Sequence, residues 1–155
     1  MSSMKWEAPH RQMVGERGQK RELIVNQQIG KLYQQIGETA CDQAEGLAGK
    51  LLLYAEVEDG VVSADLFYVN EGGGVRFKFC PTSVRSLVYS LWERWREQPE
   101  NREWRAMCYV LDGGKISIDL TYPDQIDEDE ELSDRRPRIV NQHFAAMKVD
   151  YSKPS

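Results

Sequence analysis

The chain has 155 residues, 41% of them apolar, and 25 acidic against 20 basic side chains give a formal charge of −5. That length and apolar fraction suit one globular domain and exclude a disordered chain. The acidic balance argues against direct nucleic-acid binding, because phosphates would be repelled, and it suits a basic protein partner.

The three cysteines, Cys41, Cys80 and Cys108, are widely spaced and form no C-x-x-C pair. Neither a disulfide framework nor a zinc site is expected. No apolar run approaches the ~20 residues that a membrane span needs. Residues 1–20 contain no apolar h-region. A cytoplasmic protein in a reducing compartment is therefore expected.

Residues 1–21 read as a flexible tail, in which Trp6 and Met13 are the apolar residues able to dock. From about Glu22 to Glu45, Val25, Ile29, Leu32, Ile36 and Ala40 recur at helical spacing and predict one buried stripe. Gly30 and Gly37 interrupt that helix at a cost of ~1 kcal/mol each, which predicts close packing or a bend beside them. Leu51–Val57 and Val61–Val69 read as strands joined by the turn Glu58-Asp59-Gly60. Asn70–Gly74 is a loop. Val75–Phe79 is a third, short strand. Thr82 or Ser83 is placed to cap a second helix that ends near Gln98, where Pro99 forbids continuation. In that helix Val84, Leu87, Val88, Leu91, Trp92 and Trp95 make one apolar face.

Residues 104–122 give the strongest local signal. Two β-favouring runs flank Asp112-Gly113-Gly114, and the second alternates, with Ile116, Ile118, Leu120 and Tyr122 on one face. Seven of the eleven residues from Asp124 to Asp134 are acidic, and Arg135, Arg136 and Arg138 follow at once. Ile139–Met147 reads as a last short helix. Residues 22–151 then form one α+β domain, and 152–155 form a C-terminal tail. The expected architecture is a two-layer sandwich: an antiparallel five-stranded sheet with helices packed on one face, in the order α-βββ-α-ββ-α.

A search for chemistry finds little. His10 sits in the tail and His143 in the last helix. Cys41 and Cys108 read as small core residues. Gly72-Gly73-Gly74 opens no helix and so lacks what a phosphate loop requires. The acidic run lacks the glycine-centred spacing of a calcium loop. No catalytic residue, cofactor or metal is expected. Trp92, Trp95 and Trp104 read as core rather than as stacking platforms for bases.

Several phrases occur together in order: Leu32-Tyr33-Gln34-Gln35-Ile36-Gly37, Leu53 to Gly60, Phe67-Tyr68-Val69, Trp104-Arg105-Ala106-Met107, Lys115 to Tyr122, and Arg135 to Val140 followed by Phe144. Across residues 28–151 this set resembles the YezG-like family of bacterial immunity proteins, the antitoxins of polymorphic toxin systems. The chain departs from that pattern in its extra N-terminal segment and in a short link between the third strand and the second helix. The resemblance implies a protein that binds and neutralises a cognate toxin or effector C-terminal domain, with a basic nuclease as the partner type, and with no chemistry of its own. A nuclease cleft is positive because it holds phosphates, so carboxylates compete for it and steer association. The carboxylates expected to face the partner are Glu56, Glu58 and Asp59 at the first turn and Asp124, Asp127, Glu128, Asp129, Glu130 and Glu131 in the acidic run. No membrane or nucleic-acid contact is expected, and the protein is expected to be a monomer or weak dimer.

Two rivals remain open. One is a cytosolic chaperone for a secreted effector, which would show apolar patches on its helices and a stable homodimer. The other is a small enzyme using His143 or the carboxylates Asp119 and Asp124.

Overall fold

The computed structural model describes residues 2–5, 16–145 and 147–151. Its elements run β1 (Ser2–Lys5), α1 (Glu16–Gln43), β2 (Leu47–Glu58), β3 (Val61–Asn70), β4 (Val75–Phe79), α2 (Thr82–Arg96), β5 (Ala106–Asp112), β6 (Lys115–Thr121), α3 (Leu132–Phe144) and β7 (Val149–Asp150). The fold is α+β, and the order α-βββ-α-ββ-α stands with one short strand added at each end. A single sheet runs β1-β6-β5-β2-β3-β4-β7. Every pairing is antiparallel except that of β4 with β7.

Two Gly-containing turns set the registers. Asp112 pairs with Lys115 across Gly113 and Gly114, whose φ angles are +59° and +80°. Glu58 pairs with Val61 across Asp59 and Gly60, at +52° and +76°. Two consecutive positive φ values make two-residue hairpin turns whose twist matches that of the flanking strands.

β2 is central and is buried on both faces from Leu51 to Val57. Leu51, Leu53, Ala55 and Val57 meet one core together with Met107, Tyr109, Ile118 and Leu120. Ile29, Tyr33, Ile36 and Ala40 of α1 and Val84, Val88, Leu91 and Trp92 of α2 cover it. The two long helices thus lie on one face, as their stripes predict. The alternate residues Leu52 and Tyr54, with Phe67, Phe77, Cys108 and Val110, form a second core under Ile139, Val140 and Phe144 of α3. The short last helix therefore packs on the opposite face of the sheet from α1 and α2.

Trp92, Trp95 and Trp104 are structural. Trp92 Nε1 donates to the Trp104 carbonyl at 2.9 Å and Trp95 Nε1 to that of Arg102 at 2.7 Å, which ties the end of α2 to the segment entering β5. Gly37 is where α1 meets the sheet closely. A Cβ there would stand 2.6 Å from the Tyr109 hydroxyl, which itself donates to the Tyr33 carbonyl at 2.6 Å.

Some boundaries differ from expectation. Residues 2–5 are not tail but an edge strand on β6. α1 begins at Glu16, six residues before the apolar stripe announces it, because Glu16–Arg21 is rich in helix formers yet carries no stripe of its own. α2 has Pro81 at its N-cap, and neither Thr82 nor Ser83 caps it; the Thr82 hydroxyl instead accepts from Arg85 at 3.0 Å. α3 starts at Leu132 rather than Ile139 and contains Pro137. Trp6, His10 and Met13, and the tail residues 152–155, lie outside the described residues.

Candidate functional site

The sheet face under α3 is not fully covered, for Val61 and Phe79 stay exposed there. Beyond the N-terminal end of α3, the β2–β3 turn and the acidic segment before α3 enclose a cleft of about 580 Å³. Glu58, Asp59, Val61 and Ser63 line one side, Ile126, Glu128, Glu130 and Leu132 the other, with Glu56, Arg105 and Arg135 also in the wall. Two carboxylate groups far apart in sequence thus converge on one opening.

The cleft contains a buried ion pair. Glu56 follows Tyr54 on the α3 face of β2, and Arg135 lies one turn before Ile139 on the sheet-facing side of α3. Arg135 grips both Glu56 oxygens, Nε to Oε2 at 2.8 Å and Nη2 to Oε1 at 2.9 Å. The Tyr54 hydroxyl donates to the same Oε2 at 2.5 Å, and Arg135 Nη1 donates to the Glu130 carbonyl at 2.9 Å. Both charged side chains are over nine-tenths buried. Hydrogen bonding to Glu56 holds the Arg135 guanidinium above its ordinary pKa. Burial first, and the bond to Glu56 second, push up the Tyr54 hydroxyl. This is a correction to the sequence reading: Glu56 does not face outward with the other carboxylates but serves as the counter-ion of Arg135.

Several of the remaining expected carboxylates are also committed. Arg138 holds Glu130 through two bonds of 2.8 and 3.0 Å, and that contact lowers the Glu130 carboxyl pKa. Arg105 holds Glu58 at 2.7 Å. Arg102 holds Asp124 at 2.7 Å and depresses its carboxyl pKa, away from the cleft. Asp127 turns its Oδ1 back to the Asp129 amide at 3.0 Å. Glu131 is the N-cap residue of α3 without a side-chain cap bond. Among the described residues, Asp59 and Glu128 are the cleft-lining carboxylates with no ion pair and no side-chain hydrogen bond. Asp124, Asp127, Asp129 and Glu131 stand outside the cleft wall.

The pairing of Glu56 with Arg135 was detectable in the sequence. Arg135, Ile139 and Val140 share helical spacing, and Glu56 sits inside an otherwise apolar strand. A cation on one apolar stripe and an anion in another run call for each other, because neither is buried alone without a large cost.

The residues considered for catalysis are placed as follows. Cys108 is buried in the second core, and burial pushes its thiol up to about 12, so at neutral pH it is not a thiolate. His143 is half-buried; burial, then the nearby Lys50 ammonium, lowers its pKa. Lys50 Nζ donates to the His143 backbone carbonyl at 2.8 Å. Asp119 faces the same side of the sheet as Cys108, and its Oδ1 is buried without a partner among the described residues. Asp119 does not line the cleft. Among the described residues no group of three His, Cys, Asp or Glu side chains is arranged to hold a metal ion, and no helix is long and apolar enough to cross a membrane.

Comparison with models of known protein families and with curated proteins finds no match for this chain.

Proposed function

We propose that this chain is an immunity-type protein that binds a basic toxin domain, of nuclease type, and inactivates it by occluding its substrate-binding surface, one inhibitor to one toxin. The observation that carries the reading is the cleft, whose wall includes Asp59 and Glu128 from separate segments, neither with a cation of its own. A partner cation that enters there recovers electrostatic energy without displacing an internal ion pair. The excess of acidic side chains adds long-range attraction, which raises association rates at low salt. The buried Arg135–Glu56 pair ties the two walls together, so α3 and β2, beside which the carboxylates lie, are joined before binding and the ordering cost left is that of the side chains themselves. The resemblance to YezG-like immunity proteins points the same way. On this proposal the protein acts in the cytoplasm, without a cofactor.

A chaperone for an unfolded effector segment is less well supported. From residue 26 onward, the exposed large apolar side chains among the described residues are Val61, Phe79, Met147 and Tyr151, and none of these four lies on a helix.

The test is co-expression with the C-terminal domain encoded by the adjacent upstream reading frame, in a host that this domain poisons. The wild type is expected to restore growth, and the pair Asp59→Lys with Glu128→Lys is expected to fail while still folding, with only the few degrees of lost melting temperature that lysine at the positive φ of position 59 costs. If the double reversal protects fully, and its association rate keeps the same salt dependence, the cleft is not the toxin-facing surface.

A further inference from the structure

The cleft accounts for charge but not for an apolar anchor, and tight protein interfaces draw most of their affinity from a few desolvated aromatic or aliphatic side chains. Single exposed apolar residues need no explanation, but several on one sheet face do. Val61 is 65% exposed, Phe79 70% and Tyr151 51%. All three belong to the sheet face on which α3 packs. Glu58 pairs with Val61 and Asp65 with Phe79, which puts Val61 and Phe79 on the same side as Tyr54 and Glu56. Tyr151 lies tilted against the Phe77 ring, centroids 5.4 Å apart, and Phe79 meets the same ring edge-on at 4.7 Å.

The neighbours of Phe79 explain why it points outward. Lys78, on the other side of β4, reaches back to the Gln43 carbonyl at 3.1 Å and fastens that face to the end of α1. Strand alternation then directs Phe79 to the α3 side. There Arg136 stops short of it, bonded to Asp65 at 2.9 Å and stacked over Phe77. Phe79 is four residues along the β3 register from Val61, about 14 Å away at strand spacing. A partner footprint of ordinary size, ~800 Å² per side, is roughly 30 Å across and spans both.

We propose that Phe79 is the apolar anchor of a docking surface whose charged half is the cleft, and that its occupant is a folded, basic protein domain. That domain carries Lys or Arg side chains for Asp59 and Glu128 and an apolar recess for Phe79, with Val61 between the two. The charge of the cleft selects the partner: a second copy docked two-fold through this same surface would bring like charge to Asp59 and Glu128, and an apolar segment alone would leave those carboxylates desolvated and unpaired. This inference rests on the function proposed above and adds to it the source of the binding energy.

The probe is the purified C-terminal domain encoded by the adjacent upstream reading frame, studied by stopped-flow and surface plasmon resonance against full-length wild type, Phe79→Ser, Phe79→Leu and the double variant Asp59→Lys with Glu128→Lys. Because Phe79 is mostly exposed and its ring contact is with Phe77, Phe79→Ser is expected to stay folded and to lose only a few degrees of melting temperature. It is expected to weaken binding roughly thirty-fold or more through faster dissociation, with the salt dependence of association unchanged. Phe79→Leu is expected to fall between it and the wild type. The charge reversal is expected to slow association and flatten its salt dependence instead. If the wild type binds and the reversal disrupts binding while Phe79→Ser dissociates at the wild-type rate, the anchor is refuted and the proposed function survives. If the wild type does not bind the domain at all, both are overturned. If sedimentation shows a wild-type dimer that Phe79→Ser dissolves, the surface is a self-association face and the anchor assignment is wrong.

Discussion

Replacing Arg135 with Met tests whether the ion pair between β2 and α3 is as buried as its geometry implies. Glu56 receives two bonds from Arg135 and one from Tyr54, and both charged side chains are over nine-tenths buried. Removing Arg135 leaves a desolvated carboxylate with only a phenol for company. Breaking such a pair costs about 3–5 kcal/mol, a large share of the ~5–15 kcal/mol that stabilises a domain. With a urea m-value of ~2 kcal/mol/M, the midpoint should fall by roughly 2 M. The informative comparison is the triple variant Arg135→Met, Glu56→Leu, Tyr54→Phe. It removes every polar group of the network except the Glu130 and Asp127 carbonyls, which accept from Arg135 at 2.9 and 3.5 Å; the shorter of the two lost bonds is worth about 1 kcal/mol. The triple variant should therefore lie within about 1–2 kcal/mol of the wild type, far above the single variant. Urea titrations followed by tryptophan fluorescence measure both. A single variant that loses less than about 1 kcal/mol would mean that Glu56 is hydrated. A triple variant as unstable as the single one would mean that the loss comes from arginine packing and not from charge.

Gly37→Ala should destabilise by about 1–3 kcal/mol despite alanine's better helix propensity, because the new Cβ meets the Tyr109 hydroxyl; adding Tyr109→Phe should recover much of the loss, as denaturant midpoints will show. His143 has a folded-state pKa below its ordinary value of 6.5 because of burial and Lys50. The unfolded state therefore binds its proton first, so its contribution to stability is present above about pH 6.5 and is lost as pH falls through the folded value. Wild type minus His143→Gln stability should decline on acidification below that point, and a flat difference would contradict the burial of the ring. Cys80 and Cys108 are buried with raised thiol pKa values, and Cys41 is half-buried. In the native protein a thiol reagent at pH 8 should label Cys41 alone, and the other two only on unfolding; rapid native labelling of Cys108 would contradict its place in the core.

Periodic and turn-bounded elements were legible in the sequence. The β5–β6 hairpin follows from alternation around Gly113-Gly114, and the α2 stripe from Val84 to Trp95 is the side that packs. Both rest on local patterns that tertiary contacts only reinforce. What escaped were elements whose cause is remote. β1 exists by pairing with β6, more than a hundred residues later. α3 starts at Leu132 because Arg135, Arg136 and Arg138 find carboxylates on β2, on β3 and in the preceding loop, and a charged first turn shows no apolar period. The outward-facing Phe79 was hidden in the strand Val75, Phe77 and Phe79, whose alternation implies a uniformly buried face. Only the short reach of α3 leaves its last member uncovered.

The arginine run explains how the acidic segments are sorted. Helical spacing turns three neighbouring cations in three directions. Arg135 points into the sheet and takes Glu56, Arg136 points sideways to Asp65, and Arg138 points outward to Glu130. Each pairing removes one carboxylate from the list of those free to meet a partner. Arg105 and Arg102 remove Glu58 and Asp124 in the same way. The uncommitted cleft pair, Asp59 and Glu128, is therefore a remainder set by the fold and not by local charge density, which is higher at Asp127–Glu131. A reversal of that whole run would break Glu130 away from Arg138 and mix stability with binding. Asp59→Lys with Glu128→Lys changes the cleft's sign while leaving every internal pair intact. If that pair leaves partner association unaltered, the free carboxylates carry no recognition.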